Sequence, residues 1–235
     1  MATHTIQVPA AKSATAAKVL VSWSGGKDSA LALAAIRRSG EYEPAALLTT
    51  VTEGYDRISM HGVRRVLLER QAEALGLPLE VVAIPPACSN DTYEARMRAA
   101  IGQQVARGIR GVVFGDIFLQ DIRRYREEKL AQADLRPLFP LWGRNTSELL
   151  AEFIAAGFRA VIVCLDPRKL DASFAGCELD EEFLRRLPDG VDPCGENGEF
   201  HTFVYEGPIL RRAVPFAKGE VVTRDGFVFC DLLPG

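Results

Sequence analysis

The first half of the chain alternates short apolar runs with amphipathic stretches. Apolar runs bounded by glycine, proline or polar residues predict buried strands, and apolar residues at three- to four-residue intervals predict helices. The predicted strands are Lys18–Trp23, Ala45–Val51, Leu79–Ile84 and Gly111–Phe114. The predicted helices are Asp28–Ser39, Gly62–Leu75, Asn90–Arg107 and Asp121–Ala133. Strands that alternate with helices predict right-handed βαβ units and a parallel sheet, and therefore an α/β fold.

The pattern changes at Arg136–Gly143, where Pro137, Pro140 and Trp142 predict a hinge. The elements predicted beyond it are a helix (Ser147–Ala156), a strand (Arg159–Leu165), an acidic helix (Asp180–Leu187) and then short strands and turns. We therefore predict a first domain over residues 18–138 and a second, smaller α+β domain over residues 139–235. Residues 1–17 are rich in Ala, Thr and Ser, lack the apolar block of a signal peptide, and are predicted to form a flexible tail.

Composition narrows the possible settings of this fold. The 235 residues are 48% hydrophobic, which is enough for a substantial core, and no apolar run approaches the length of a membrane span. The five cysteines form no Cys-x-x-Cys pair, which is typical of free thiols in a reducing compartment and favours a cytoplasmic location. The net charge of −3 argues against a nucleic acid partner and leaves room only for a local basic patch. A homodimer remains open.

The motif Ser-Gly-Gly-Lys-Asp-Ser directly follows the first predicted strand. Its residues are Ser24, Gly25, Gly26, Lys27, Asp28 and Ser29. The two glycines let the backbone approach a ligand closely, and the free N–H groups of the next helix would face the same point. The charge of Lys27 and the serine hydroxyls strengthen this prediction of an anion site. Asp28 does not suit a phosphate, so it is interpreted as a helix cap or a metal ligand.

Two further strand ends carry candidate residues, because ligands of open α/β sheets bind beyond the carboxyl ends of the strands. After the second strand, the backbone of Thr50 and the side chain of His61 could frame an adenine and ribose. After the fourth strand, Gly115 would allow phosphates or substrate to approach, and Asp116 could hold Mg²⁺. In the simpler interpretation, His61 caps the following helix and Asp116 is a turn residue.

The second dense motif runs from Asp192 to Val204. It contains Glu196, Glu199 and His201, which we predict to be catalytic together with Lys27. The two carboxylates could bind an ammonium-like nucleophile or a metal, and the imidazole could take a proton from an attacking amine. Asn197-Gly198 is also a strong hairpin signal, so a decorated hairpin is the simpler interpretation.

These motifs resemble known proteins in their order and content. Ser-Gly-Gly-Lys-Asp-Ser is similar to the pyrophosphate loop of the PP-loop ATP pyrophosphatases. The motifs that follow it are Ser59-Met60-His61, Phe114-Gly115-Asp116-Ile117, Pro140-Leu141-Trp142 and Gly195-Glu196-Asn197-Gly198-Glu199-Phe200. From about Lys18 to Gly207 the chain resembles the diphthine–ammonia ligase family.

The resemblance implies a fold and a reaction. The fold is a Rossmann-like (HUP/PP-loop) nucleotide-binding domain joined to a smaller substrate domain. The reaction uses ATP and Mg²⁺ to adenylate a small-molecule or protein-borne carboxylate, amidates it with ammonia, and releases AMP and pyrophosphate. The implied ATP-binding residues are those of the loop at 24–29 with Thr50, His61, Gly115 and Asp116, and the implied metal ligands are Asp28 and Asp116.

One departure leaves the acceptor open. The ligase branch usually has a glycine where Asn197 stands and an acid where His201 stands. A bacterial branch shares the variant found here, and its substrate could be another carboxylate, such as one in corrinoid salvage.

Three different functions also stay open. The first is an ATPase that makes AMP without ligation. The second is a tRNA-thiolating PP-loop enzyme, which would need Cys88 and Cys194 close together. The third is a nucleotide-binding regulator without chemistry.

Overall fold

The computed structural model describes residues 16–58 and 61–235. The predicted tail over residues 1–17 therefore falls almost wholly outside the described residues, as do Ser59 and Met60 of the quoted motif. Among the described residues, no helix has the length and apolar character needed to cross a bilayer.

Ten strands and six α-helices make up the described chain. The strands are β1 (Ala17–Ser22), β2 (Tyr42–Thr52), β3 (Arg57–Ile58), β4 (Leu79–Ile84), β5 (Gly111–Val113), β6 (Arg136–Leu138), β7 (Arg159–Leu165), β8 (Phe200–Glu206), β9 (Phe216–Arg224) and β10 (Phe227–Pro234). The helices are α1 (Lys27–Ser39), α2 (Arg65–Leu75), α3 (Asn90–Ala106), α4 (Gln120–Ala131), α5 (Thr146–Ala155) and α6 (Glu181–Arg186).

The first sheet is parallel except at one short edge. Strands pair in the order β4-β2-β1-β5-β6, all parallel, and β3 adds an antiparallel pair to the end of β2. The chain therefore places β2 and β4 on one side of β1 and then returns to place β5 and β6 on the other side. This reversal creates a crevice at the carboxyl ends of β1 and β5, which is where ligands bind in such sheets.

Alternate residues of β1 point to opposite faces of this sheet, and both faces are covered. Val19 and Val21 point into a core shared with α1 and α2, whereas Leu20 points into a second core on the opposite face. Residues of α3 and α4, such as Met97 and Leu130, cover that second face. A strand buried on both faces has a continuous run of apolar residues, and this run is why β1 can be predicted from the sequence.

The C-terminal part contributes an antiparallel sheet in the order β8-β7-β10-β9. Its buried residues, among them Ile162 of β7 and Phe203 of β8, join the same core as α1 and α2. The predicted α/β class, with a Rossmann-like sheet and a smaller C-terminal part, is confirmed. The boundary near residue 138 stays a prediction.

Several predicted elements were wrong in detail. Arg136–Leu138 is not part of a hinge but forms β6, which pairs with β5. Pro137 is tolerated there because β6 is an edge strand, where a missing N–H costs no ladder bond. Helix α2 begins at Arg65 rather than Gly62, and its N-cap residue is Arg64, so His61 is not its cap.

The predicted hairpin at Asn197-Gly198 is also absent from the described chain, where residues 191–199 form turns that lead into β8. The two-residue hairpin lies instead at Asp225-Gly226, between β9 and β10. Both residues have positive φ, 52° and 81°, as the tight turn with matching twist requires. The short strands predicted after the acidic helix are therefore three strands of seven to nine residues, β8, β9 and β10.

Candidate active site

The loop between β1 and α1 is a compact turn at the crevice. Ser24 Oγ accepts a hydrogen bond from the N–H of Gly26 at 3.2 Å and lies 3.3 Å from Ser29 Oγ. Ser29 Oγ in turn donates to the carbonyl of Gly26 at 2.9 Å. These bonds close the turn and bring the first residues of α1 to the end of β1; that this helix start binds an anion stays a prediction.

Two glycines are required by close packing around this loop. Gly25 has φ +80°, and a Cβ there would lie 2.8 Å from Oε1 of Gln71. A Cβ on Gly115, at the end of β5, would lie 2.8 Å from the backbone carbonyl carbon of Asp28. Both positions therefore exclude larger residues because of packing within the protein; Gly25 is not among the described residues that line the cleft, and the close approach of a ligand at either glycine stays a prediction.

Lys27 is almost fully buried, with 2% of its surface exposed. Its ammonium group donates to Asp28 Oδ2 at 2.9 Å and to the carbonyl of Cys194. Burial is the largest influence and works against the charged form, but Asp28, Cys194 and Glu196 together outweigh it, so the pKa of Lys27 lies above its usual value. The site therefore holds a permanent positive charge at the start of α1.

The C-terminal strand β8 lies directly against the loop. The backbone N–H of Lys27 donates to Thr202 Oγ1 at 3.0 Å, and the N–H of Val204 donates to the carbonyl of Gly25 at 2.8 Å. The buried amide of Gln71 donates to the carbonyls of Gly25 and Val204 and accepts from the indole N–H of Trp23. The loop is thus held in place by residues from both halves of the chain.

The end of β5 brings a second carboxylate to the crevice. Asp116 Oδ1 lies 3.2 Å from the guanidinium of Arg126, whose Cζ sits 4.2 Å above the ring centre of Phe114. Burial raises the pKa of Asp116, and the charge of Arg126 opposes this shift. Arg126 comes from α4, which carries many exposed charged residues. The sequence pattern does not distinguish Arg126 from the others or indicate that its side chain faces the cleft.

The turns at 192–198 close the crevice from the C-terminal side. Asp192 Oδ1 accepts from the N–H groups of Cys194 and Glu196, which fixes the loop. Glu196 Oε1 then accepts from the N–H of Ile117 at 2.8 Å, next to Asp116. Burial is the main cause that raises the pKa of Glu196 to about 7, and the carboxylates of Asp28 and Asp116 add to it.

Glu199 lies behind this loop. Its Oε1 accepts from the N–H of Asp192 at 3.2 Å and from the side-chain amide of Asn197 at 3.1 Å, and 3% of the residue is exposed. Glu199 is not among the described residues that line the cleft. These contacts give Glu199 a role in holding the loop, and its catalytic role stays a prediction.

His61 and His201 form a pair at one end of the cleft. Their ring centres are 4.4 Å apart with an angle of 31° between the ring planes. Burial lowers the pKa of His201 to about 4, and nearby Lys27 contributes to the shift. Burial, with the neighbouring His201, also lowers the pKa of His61 well below its usual value. Both rings are therefore neutral at pH 7.

Most of the predicted residues meet in one cavity of about 230 Å³. From the loop after β1, the cavity is lined by Ser24, Gly26, Lys27, Asp28 and Ser29. From elsewhere in the chain it is lined by His61, Gly115, Asp116, Glu196 and His201. Thr50 lies in β2, where it pairs with Val82 of β4, outside the described lining. The sequence missed Thr202 and Arg126, which also line this cleft.

A second, more apolar cavity of about 440 Å³ adjoins the cleft. It lies between α3, α4 and the sheet, and its apolar lining includes Leu48, Tyr93, Met97, Ile101, Phe114 and Tyr125. Ser22 and Arg126 line both cavities, which places the two side by side. We call the smaller cavity the polar cleft and the larger one the apolar pocket.

The carboxylates of the polar cleft suit a divalent cation shared with phosphates. Among the described residues, no group of three or more metal-ligating side chains is arranged as a complete metal site. Asp28 Oδ1 and Asp116 Oδ2 are nevertheless buried without a hydrogen-bond partner in the described part of the chain. Mg²⁺ is commonly held by one or two carboxylates while substrate phosphates and water complete its shell, so these orphaned oxygens fit that ion.

Comparison with known proteins agrees with the two-part construction of the cleft. A family model described as the diphthamide synthase N-terminal domain matches residues 17–134, and one described as the C-terminal domain matches residues 145–231. The chain belongs to the diphthamide synthase family. The loop at 24–29 and Asp116 fall in the N-terminal match of this family, whereas Glu196 and His201 fall in the C-terminal match.

Curated relatives in the diphthamide synthase family carry the name diphthine–ammonia ligase. The protein of Bos taurus is 28% identical over 228 residues, which covers 88% of this chain and 85% of the bovine protein. The Homo sapiens protein gives the same identity and coverage. The Rattus norvegicus protein is 30% identical over 186 residues, or 76% of this chain and 68% of the rat protein.

Proposed function

We propose that this chain is an ATP-dependent ligase that adenylates a carboxylate and then amidates it with ammonia. The observation that carries the proposal is the polar cleft itself. It joins a helix start, the buried charge of Lys27 and two orphaned carboxylate oxygens at the point where the strand order reverses. The names of the relatives describe ligases that use ammonia, which agrees with this chemistry.

The two cavities suggest how ATP would lie. The polar cleft offers the start of α1 and the ammonium group of Lys27 to the β- and γ-phosphates, which favours the departure of pyrophosphate. The apolar pocket offers aromatic and aliphatic surface, from residues such as Tyr93 and Met97, to the base. Asp28 and Asp116 would hold Mg²⁺, which neutralises phosphate charge when bound.

The reaction balances as two displacements. The acceptor carboxylate oxygen attacks the α-phosphorus, the bond from that phosphorus to the bridging oxygen breaks, and pyrophosphate leaves with the electron pair. The nitrogen of ammonia then attacks the acyl carbon, AMP leaves, and one proton passes to a base. His201 lies in the cleft and is neutral, but its pKa of about 4 makes it a weak base. Glu196, with a pKa of about 7, is better matched to accept this proton at neutral pH.

The placement of the cysteines favours this reaction over tRNA thiolation. Cys194 packs into the core on the α1 side of the first sheet, whereas Cys88 packs against the core on the α3 side. Burial also raises the pKa of Cys194 to about 12, so its thiol is inert at neutral pH. A catalytic pair of these two cysteines is therefore not supported.

The acceptor is proposed only as a carboxylate carried by a small molecule or a protein. Diphthine enters from the names of the relatives. His201 lines the cleft, so a change from the usual acid at this position alters the surface that an acceptor would meet. This favours testing a second acceptor class, the corrinoid acids, beside diphthine.

Product analysis tests the proposal. The protein is incubated with Mg²⁺ and ATP labelled in the α- or γ-phosphate, with and without ammonium, and with a panel that includes corrinoid acids and a diphthine-bearing elongation factor. We expect AMP and pyrophosphate, formed in an acceptor-dependent manner. AMP formed without any acceptor dependence would indicate a hydrolase. ADP and phosphate, or tight ATP binding without turnover, would overturn the ligase proposal.

The metal assignment has its own test. Replacing Asp116 by Asn removes one of the two carboxylates that bring an orphaned oxygen to the polar cleft, so we expect more Mg²⁺ to be needed for half-maximal AMP formation. Asp121→Asn on the exposed surface of α4 is the matched control, since its side chain is 95% exposed. An unchanged Mg²⁺ titration in Asp116→Asn would remove this residue from the proposed metal site.

A further inference from the structure

Arg126 occupies the junction between the polar cleft and the apolar pocket. Among the described residues, Arg126 and Ser22 are the two that line both cavities. In a nucleotide the α-phosphate joins the ribose to the β-phosphate. A nucleotide with its base in the apolar pocket and its outer phosphates at Lys27 must therefore pass its α-phosphate through this junction.

The guanidinium of Arg126 is fixed in place before any ligand arrives. It stacks on the ring of Phe114 with its Cζ 4.2 Å from the ring centre, and it lies 3.2 Å from Asp116 Oδ1. Its side chain is 28% exposed, so most of it is removed from water. Electrostatic attraction to an anion is stronger in such surroundings than at an open surface.

We propose that Arg126 is a catalytic residue that binds the α-phosphate and stabilises the negative charge that builds there when the carboxylate attacks. This role rests on the proposed function, because it assumes that a nucleotide spans the two cavities. The planar guanidinium can donate two hydrogen bonds to one phosphate while its face stays on Phe114. Lysine offers neither the fork nor the flat face, so it cannot take over this role.

Glu196, Asp28 and Asp116 make the polar cleft acidic around Arg126, and their negative charge opposes phosphate binding. Arg126, Lys27 and a divalent cation shared by the two aspartates would offset that charge. The contact with Asp116 also links the metal site to the junction. The α-phosphate would then lie between the metal-binding carboxylates and the base pocket, with Arg126 as its direct ligand.

Isothermal titration with AMP, adenosine and pyrophosphate, without Mg²⁺, tests this role. We compare the wild-type chain with Arg126→Lys, which keeps the charge, and Arg126→Met, which keeps most of the stem. Both changes should weaken AMP binding by about 10- to 100-fold, as expected for loss of charged hydrogen bonds. Adenosine and pyrophosphate affinities should stay as in the wild type, because neither ligand has an α-phosphate.

Arg124→Met is the matched control, since Arg124 lies two residues away in α4, is 63% exposed and pairs with Asp121. It should bind all three ligands as the wild type does. Unchanged AMP affinity in Arg126→Lys and Arg126→Met would overturn the role of Arg126, and so would an equal loss for adenosine. If Arg126→Met fails to fold, Arg126→Lys alone decides. A wild-type chain that does not bind AMP in this titration, nor ATP in a parallel one, would overturn the proposed function as well.

Discussion

Thr202 Oγ1 accepts a hydrogen bond from the backbone N–H of Lys27 at 3.0 Å, across 175 positions of the sequence. Thr202 belongs to β8, and Lys27 is the first residue of α1. The second half of the chain therefore fixes the start of the helix at which the anion site is proposed. A ligand bound at the loop would be coupled through this bond to the packing of the C-terminal sheet.

Replacing Thr202 by Val should destabilise the chain by about 1–2 kcal/mol, because it leaves the buried N–H of Lys27 without its acceptor. The two side chains have nearly the same shape, so packing should change little. Urea unfolding followed by circular dichroism measures the loss. Thr202→Ser keeps the hydroxyl and should recover most of it. Equal losses in the Val and Ser variants would contradict a role for the hydrogen bond.

A larger loss of stability is expected from replacing Gln71, because its buried side-chain amide forms hydrogen bonds with three partners. Gln71→Leu leaves the indole N–H of Trp23 without its acceptor and removes one donor from each of the carbonyls of Gly25 and Val204, although the Gly25 carbonyl keeps the N–H of Val204. We expect a loss of about 3 kcal/mol or more in unfolding free energy. The fluorescence of Trp23 should change as well, since its indole loses the acceptor at 3.0 Å.

Glu73→Ala in the same helix is the control for Gln71. Its carboxylate is 64% exposed and pairs with the exposed side chain of Arg212. Exposed pairs of this kind contribute about 1 kcal/mol or less. If Gln71→Leu proves no more harmful than Glu73→Ala, the loop does not depend on the Gln71 network.

The fold and half of the cleft were accessible from the sequence for a local reason. The buried strands β1 and β5 read as apolar runs, and the residues that follow them, from Ser24 to Ser29 and at Asp116, lie where such strands deliver them. Local pattern plus the general geometry of parallel sheets is enough to bring these residues together. The same reasoning finds Glu196 and His201 only as a dense polar motif, without their place in the fold.

The rest of the site depends on contacts that no local pattern encodes. Arg126 turns inward because Phe114 and Asp116 receive it, and Gln71 is buried because a strand more than a hundred positions away completes its hydrogen bonds. Proximity in the sequence groups Glu199 with Glu196, but the turn points the two carboxylates in different directions.

The edge strand β6 shows the same limit for an element of the fold. Its proline suggests a break in the chain, and the sequence therefore predicts a hinge there. An edge position tolerates the proline, because its missing N–H would not have joined the ladder. Whether a strand lies at the edge of a sheet depends on the complete strand order, which the local pattern does not contain.

Variants of Lys27 and Asp28 can separate the effect of these charges on stability from their effect on ATP turnover. Lys27→Met should abolish ATP turnover and also cost about 1–3 kcal/mol of stability, because it leaves the Asp28 carboxylate, whose side chain is 30% exposed, without its partner. The double variant Lys27→Met/Asp28→Asn removes both charges, so it should regain much of that stability while staying inactive. Urea unfolding and labelled-ATP turnover measure the two properties. Activity in the double variant would remove Lys27 from the proposed phosphate site.

Asp231 gives a prediction of pH dependence away from the cleft. Partial burial opposes ionisation, but hydrogen bonds from Arg64 and Arg57 lower the pKa of Asp231 to about 2, against 3.8 for an unperturbed aspartate. Since the folded pKa is the lower one, the stabilisation is fully present above about pH 4 and is lost as the pH falls towards 2. Screening by solvent reduces its size to about 1 kcal/mol.

The variant Asp231→Asn should therefore unfold at lower urea concentration than the wild type at pH 6. The difference should shrink as the pH falls from about 4 towards 2, because the wild type then loses the same interaction. Urea midpoints at several pH values check this, with Asp225→Asn in the exposed turn between β9 and β10 as the control. A difference independent of pH would mean that Asp231 stabilises the contacts of β10 with Arg57 and Arg64 through shape rather than charge.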